Sequence, residues 1–158
     1  MILSENLKKH NIIINAKAKT RWDLIKEMLE LAVKNKEIKD EDEESVRKAL
    51  IEREKSMSTG IGKSVAIPHC TTAKVNEIII ILSICERGID FDSIDSIPVR
   101  IAILLLVPKN KLTHHIKTLA NIAKIMNNDE LREKMLTLKS SDAILKEIQK
   151  YEQNLKTK

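Results

Sequence analysis

Apolar residues along this chain fall into two kinds of pattern. Two uninterrupted runs, "EIIIILSI" at 77–84 and "RIAILLLV" at 100–107, are each bounded by polar or turn residues. Runs of this kind mark central strands covered on both faces, as in a layered α/β architecture. "NIIIN" at 11–15 is short and β-branched and predicts a further strand. "VAI" at 65–67 predicts another, stopped by Pro68, which has no N–H to give to a ladder. Between the two long runs, "GIDFDSIDSIPV" reads as a loop with room for a short edge strand.

Elsewhere the spacing is helical. In "TRWDLIKEMLELAVKNK" the residues Trp22, Ile25, Leu29, Ala32 and Val33 share one face, with Thr20 placed to cap the first turn. A second helix is predicted from about Asp40 to Glu54. Asp40 is its expected cap, with Glu41, Asp42, Glu43 and Glu44 at the positive end of its dipole. Its apolar stripe is Val46, Ala49 and Leu50, and extending the stripe by helical steps brings Arg53 onto the inward face. A third helix, 112–127, buries Leu112, Ile116, Leu119, Ile122, Ala123 and Met126. His115 falls on that face and His114 is turned about 100° away. Two more helices follow near 129–137 and 141–152, the latter capped by Ser141.

The predicted order of elements gives one α/β domain over residues 1–158, a mixed central sheet with helices on both faces. Composition narrows this further. The chain is 42% hydrophobic, enough to fill a core, but Trp22, Tyr151 and Phe91 are its only aromatic residues. That argues against a nucleic-acid module built on stacking platforms. The net charge of +5 comes from lysines interspersed with glutamates on helical faces, which are expected to be solvated. Cys70 and Cys85 lack zinc-type spacing. With no secretory signal and no apolar run long enough for a bilayer, a cytoplasmic chain with reduced thiols and no membrane insertion is expected.

The chain has three glycines and three prolines, and three of these six lie in "STGIGKSVAIPHC" at 58–70. Gly60 and Gly62 allow a sharp bend or a close approach, and Pro68 restricts both itself and Ile67. The segment therefore holds the imidazole of His69 in a set direction. Such an imidazole can serve as metal ligand, general base or nucleophile. A metal site assembled from His69, Cys70, His114 and His115 is one reading, although adjacent residues seldom point to one ion. A Cys70 nucleophile activated by His69 is another, with the same difficulty of adjacency. A third is a histidine that carries a phosphoryl group, with the Arg53 guanidinium to meet its charge. No acidic residue is expected on either the Arg53 or the His115 stripe, which leaves the phosphoryl group as their counter-charge.

"ALIEREKSMSTGIGKSVAIPHC" and "HHIKTLANIAK" resemble the signature of the fructose/mannitol-type enzyme IIA domain of the bacterial phosphoenolpyruvate-dependent sugar phosphotransferase system. That family includes the nitrogen-regulatory IIA protein. The resemblance rests on Arg53-Glu54, on Ser58 to Gly62, on Ala66 to His69, and on His115-Ile116 with Leu119. It implies a mixed sheet flanked by helices. It also implies His69 as the phosphorylated nucleophile, Arg53 as the anion-stabilising residue and His115 as the second active-site histidine. It implies no metal and no organic cofactor. The implied partners are an HPr-like phosphocarrier as donor and a IIB component of a sugar permease as acceptor. The regulatory alternative replaces IIB with partner proteins controlled by phosphorylation. Met57, Ile61 and Ile67 are the candidate apolar contacts for these partners, with core burial the alternative reading of Ile67. Two positions depart from the family pattern, Ser64 and Cys70, where glycine is usual.

Overall fold

The computed structural model describes residues 3–156, apart from the side chain of Leu112. Six strands, β1 (Ile12–Ile13), β2 (Gly60–Gly62), β3 (Val65–Ala66), β4 (His69–Thr72), β5 (Ile79–Ile89) and β6 (Val99–Pro108), form one mixed sheet. Its order is β1-β5-β6-β3-β2, with β4 also paired to β6. The two long apolar runs become β5 and β6, antiparallel neighbours at the centre. β5 runs on to Ile89, and the segment from 90 to 98 forms no strand. The missing edge strand is instead β2, the glycine segment, antiparallel to β3.

Pro68 interrupts pairing without ending it. β3 pairs with β6 in the register Ala66↔Ala102, and β4 resumes in the same register at His69↔Leu105. The Pro68 carbonyl still accepts from Leu105 N at 2.9 Å, because proline loses only its donor.

Six helices cover the two faces: α1 (Leu3–Asn6), α2 (Arg21–Lys34), α3 (Glu43–Ser56), α4 (Leu112–Met126), α5 (Asp129–Thr137) and α6 (Ser141–Lys156). The strand period of two sorts the core cleanly. Ala102, Leu104 and Leu106 of β6 pack with α2 and α3, whereas Ile101, Ile103, Leu105 and Val107 pack with α1, α4, α5 and α6.

Helix ends follow local chemistry, with some shifts from the sequence reading. Thr20 Oγ1 accepts from Asp23 N and caps α2, as its position suggests. The buried stripe of α2 is Leu24, Ile25, Met28, Leu29 and Ala32, while Trp22 lies at its margin with the Arg21 guanidinium 4.3 Å from its ring. Asp40 does not cap α3. Asp40–Asp42 form a 3₁₀ turn, and the helix begins at Glu43 without a side-chain cap. At α6 the cap is Ser140, whose Oγ accepts from Ala143 N, so Ser141 is already helical. α1 docks by its first two N–H groups on the Glu152 carboxylate of α6, each at 2.8 Å.

Candidate active site

His69 opens β4, immediately after the proline interruption. Ile67 packs on the face covered by α4 to α6 and Cys70 on the opposite face. His69, in phase with Ile67, therefore faces α4. Its ring meets that of His115, with centroids 5.3 Å apart and planes tilted by 50°. His69 Nδ1 lies 2.7 Å from the Ile67 carbonyl oxygen. A carbonyl can only accept, so in the neutral ring Nδ1 carries the proton and Nε2 keeps its lone pair. Burial holds the His69 pKa below its ordinary value of 6.5; the Ile67 contact opposes this, and the charges of Arg53 and His115 add to it. The nucleophilic, neutral form is thereby favoured.

His115 is half-buried at the start of α4, and burial followed by the charge of Arg53 lowers its pKa. Its Nδ1 is buried with no hydrogen-bond partner among the described residues. His114 is exposed. The inward arc of α4 runs His115, Thr118, Ile122, Ile125 and Met126. This corrects the predicted face, because Ile116 is 70% exposed, while the expected burial of Leu112 falls outside the described side chains. Thr118 is tolerated inside because its hydroxyl donates to the His114 carbonyl at 2.7 Å.

Arg53 comes from α3, in the layer on the other side of the sheet. Its Nη1 donates to the Met57 carbonyl at 2.7 Å, and its charge reaches both histidines. The structure thus brings Arg53, His69 and His115 together and leaves His114 outside. A four-ligand metal cluster does not assemble, since Cys70 and His69 point to opposite faces and His114 points to solvent. Burial also pushes the Cys70 thiol up to about 12, so it is inert as a nucleophile.

The scarce glycines have specific reasons. A Cβ on Gly60 would lie 2.0 Å from Ser93 Oγ, and Gly62 has φ +91°. Ser64, where the resemblance leads to an expectation of glycine, occupies the left-handed region at φ +67°. Its strain is met by contacts: Oγ donates to Pro98 O at 2.9 Å, and its carbonyl accepts from Arg100 N and Ile101 N. Cys70 has no such φ and fills core space.

One residue escaped the sequence reading. Glu54 is only 1% exposed and shares the inward stripe of α3 with Val46 and Leu50, so the expectation of no acidic residue there was wrong. The signal was present in the i, i+4 spacing of Val46, Leu50 and Glu54. Its carboxylate accepts from Thr59 N at 2.9 Å, from Thr59 Oγ1, and from Arg21 Nη1 at 3.4 Å.

A sequence model of the family described as "Phosphoenolpyruvate-dependent sugar phosphotransferase system, EIIA 2" matches residues 5–151. The chain belongs to this EIIA 2 family. Among its relatives, a nitrogen regulatory protein of Bradyrhizobium diazoefficiens is 36% identical over 73% of this chain and 75% of its own length. The fructose-specific EIIABC component of Bacillus subtilis is 31% identical over 92% of this chain, which spans only 22% of that longer protein. The crystal structure of nitrogen regulatory protein IIA-Ntr from Neisseria meningitidis superposes with a TM-score of 0.84 at 26% identity, over 94% of this chain and 99% of the other. IIA mannitol from Escherichia coli does so with 0.76 at 25% identity, over 90% and 98%. The mixed sheet between two helix layers is the EIIA 2 fold. Among the described residues, no helix of this EIIA 2 chain is long and apolar enough to cross a membrane.

Proposed function

We propose that this EIIA 2 chain is a phosphohistidine carrier that accepts a phosphoryl group on His69 Nε2 and passes it on. The observation that carries the reading is the 2.7 Å contact between His69 Nδ1 and the Ile67 carbonyl. It directs the free lone pair to Nε2, on a ring that also faces His115. In the first step the Nε2 lone pair forms an N–P bond as the P–N bond of a phosphorylated HPr-like carrier breaks. The donor imidazole keeps that electron pair. In the second step the same exchange runs from His69 to a cysteine or histidine of a IIB component. Arg53 and His115 stabilise the charge on the equatorial oxygens, so the protein's contribution is positioning and electrostatics.

Both partners must reach one imidazole in turn, so the surface around it should be open and apolar. Met57 at 71%, Ile61 at 49% and Ile116 at 70% exposure offer such a surface. Ile67, also considered for this role, is core at 3%. From Ser96 to Asn128 the chain contains no Asp or Glu but carries Lys109, Lys111, Lys117 and Lys124, a charge balance that suits a phosphorylated partner.

A regulatory role is the second reading. It is favoured by the nitrogen regulatory relative, which is matched over 75% of its length. One phosphorelay assay tests both. With phosphoenolpyruvate, enzyme I and HPr, acid-labile phosphate should map to His69 and vanish in His69→Ala. Labelling of His69→Ala at the wild-type level would sink the carrier reading. Rapid onward transfer to a IIB domain supports transport, and its absence supports regulation.

A further inference from the structure

Glu54 takes no part in the steps above, yet a buried carboxylate is costly unless its environment satisfies it. Beside the Arg21 guanidinium at 3.4 Å, its partners are two groups of a single residue. Thr59 offers both its backbone N–H and its hydroxyl to the two carboxylate oxygens. The Thr59 carbonyl in turn accepts from Ile67 N at 3.0 Å. The Ile67 carbonyl then receives His69 Nδ1 at 2.7 Å. A continuous hydrogen-bonded chain therefore runs from Glu54 through Thr59 and Ile67 to the imidazole.

The geometry points to Glu54 as a positioning residue for His69, acting through Thr59 and Ile67 to set the ring's tautomer and direction. Anchoring Thr59 at its N–H and its hydroxyl leaves its carbonyl little freedom. That carbonyl holds the N–H of Ile67, whose own backbone is restricted by the following Pro68. The direction of the Ile67 carbonyl is thus decided from both ends. This direction selects the Nδ1–H form and aims Nε2 outward. Arg53, the preceding residue, braces the same turn through the Met57 carbonyl. The Arg53-Glu54 pair thereby divides its work, Arg53 facing the transferred group and Glu54 holding the scaffold beneath it.

Removing Glu54 should let Thr59 turn and the Ile67 carbonyl drift. The neutral His69 ring would then share its proton between both nitrogens. A misplacement of about 1 Å at a reacting atom lowers turnover by as much as ~10²-fold. Were Glu54 purely stabilising, its removal would lower resistance to unfolding and leave the ring's tautomer untouched.

The test uses the full chain with ¹⁵N-labelled histidine, reading the two His69 ring nitrogens by NMR. In the wild type, Nδ1 should be the protonated nitrogen. In Glu54→Ala with a dispersed spectrum, proton density should move to Nε2. Phosphoryl uptake from HPr should fall by about 10²-fold in kcat with KM nearly unchanged. Glu54→Gln should restore most of both, since its amide still offers an acceptor to Thr59 N–H and a donor to the hydroxyl. Wild-type ring shifts and wild-type kcat in folded Glu54→Ala would overturn the proposal. If Glu54→Ala does not fold, Thr59→Val deletes only the hydroxyl contact at similar volume. A tautomer shift in the same direction supports the proposal, and an unmoved ring overturns it. The kinetic arm rests on the carrier reading, but the tautomer arm does not. Failure of wild-type phosphorylation would remove the former reading alone.

Discussion

Replacing His115 by alanine probes how this site tolerates the charge it is proposed to receive. In the resting protein, burial and the Arg53 charge favour neutral His115. A phosphoryl group on His69 carries about two negative charges and would draw a proton onto His115. Taking the 5.3 Å between ring centroids as the scale of the charge separation gives about 3 kcal/mol per pair of unit charges at an effective dielectric of ~20. The site is open to water on one side, so roughly half of this should survive screening. About 1.5 kcal/mol corresponds to roughly tenfold in rate or equilibrium. His115→Ala should therefore lower both the rate of phosphoryl uptake and the equilibrium level of phosphohistidine by about tenfold. The loss should shrink as pH rises, because His115 gives up its proton and with it the attraction. Rapid-quench uptake from phosphorylated HPr on the acidic and alkaline sides of neutrality measures this directly. His115→Gln separates charge from hydrogen bonding. Full activity of His115→Gln at acidic pH would refute the charge argument, and a loss in His114→Ala as large as in His115→Ala would refute the placement.

Arg53→Ala should reduce transfer by about 10²-fold or more, as for other preorganised charge-stabilising groups; single-turnover rates check this, and a change under threefold would contradict it. Cys70→Ser should keep uptake within about tenfold of wild type, since a thiol pushed up to about 12 cannot supply a thiolate; collapse to the His69→Ala level would count against this. Both His69 and His115 titrate below the ordinary 6.5. Just below that pH the unfolded chain binds more protons than the folded one, so stability should fall as pH drops through this window. Urea midpoints should show a flatter pH dependence in the double variant His69→Gln, His115→Gln than in the wild type, and equal slopes would contradict the assignment. Gly60→Ala should destabilise the protein, because its Cβ would meet Ser93 Oγ at 2.0 Å; thermal melts should show partial recovery when Ser93→Ala is added.

Much of this architecture is written in local periodicity. Continuous apolar runs bounded by polar or turn residues mark buried strands, and they became β5 and β6. Helical phase alone separated His115 from His114, because a 100° step per residue is a property of the backbone; at the end of α3 the buried position is Glu54, and Arg53 lies half-buried beside it. The segment around Pro68 marked His69 because glycine and proline restrict or free the chain at their own positions. Other features depend on neighbours distant in sequence. Gly60–Gly62 is a strand only because β3 lies beside it, and glycines carry no apolar signal of their own. The inward arc of α4 is turned by less than one residue step from the predicted one, which is enough to expose Ile116. An amphipathic pattern with apolar residues on a wide arc does not say which edge of that arc the sheet will cover. Glu54 was left off the stripe although its i, i+4 spacing from Leu50 puts it there, because what makes its burial tolerable is Arg21, 33 residues earlier, and the fold of the turn to Thr59. Tertiary structure decided where charge could be satisfied, since desolvation and hydrogen bonding depend on what surrounds a group in space.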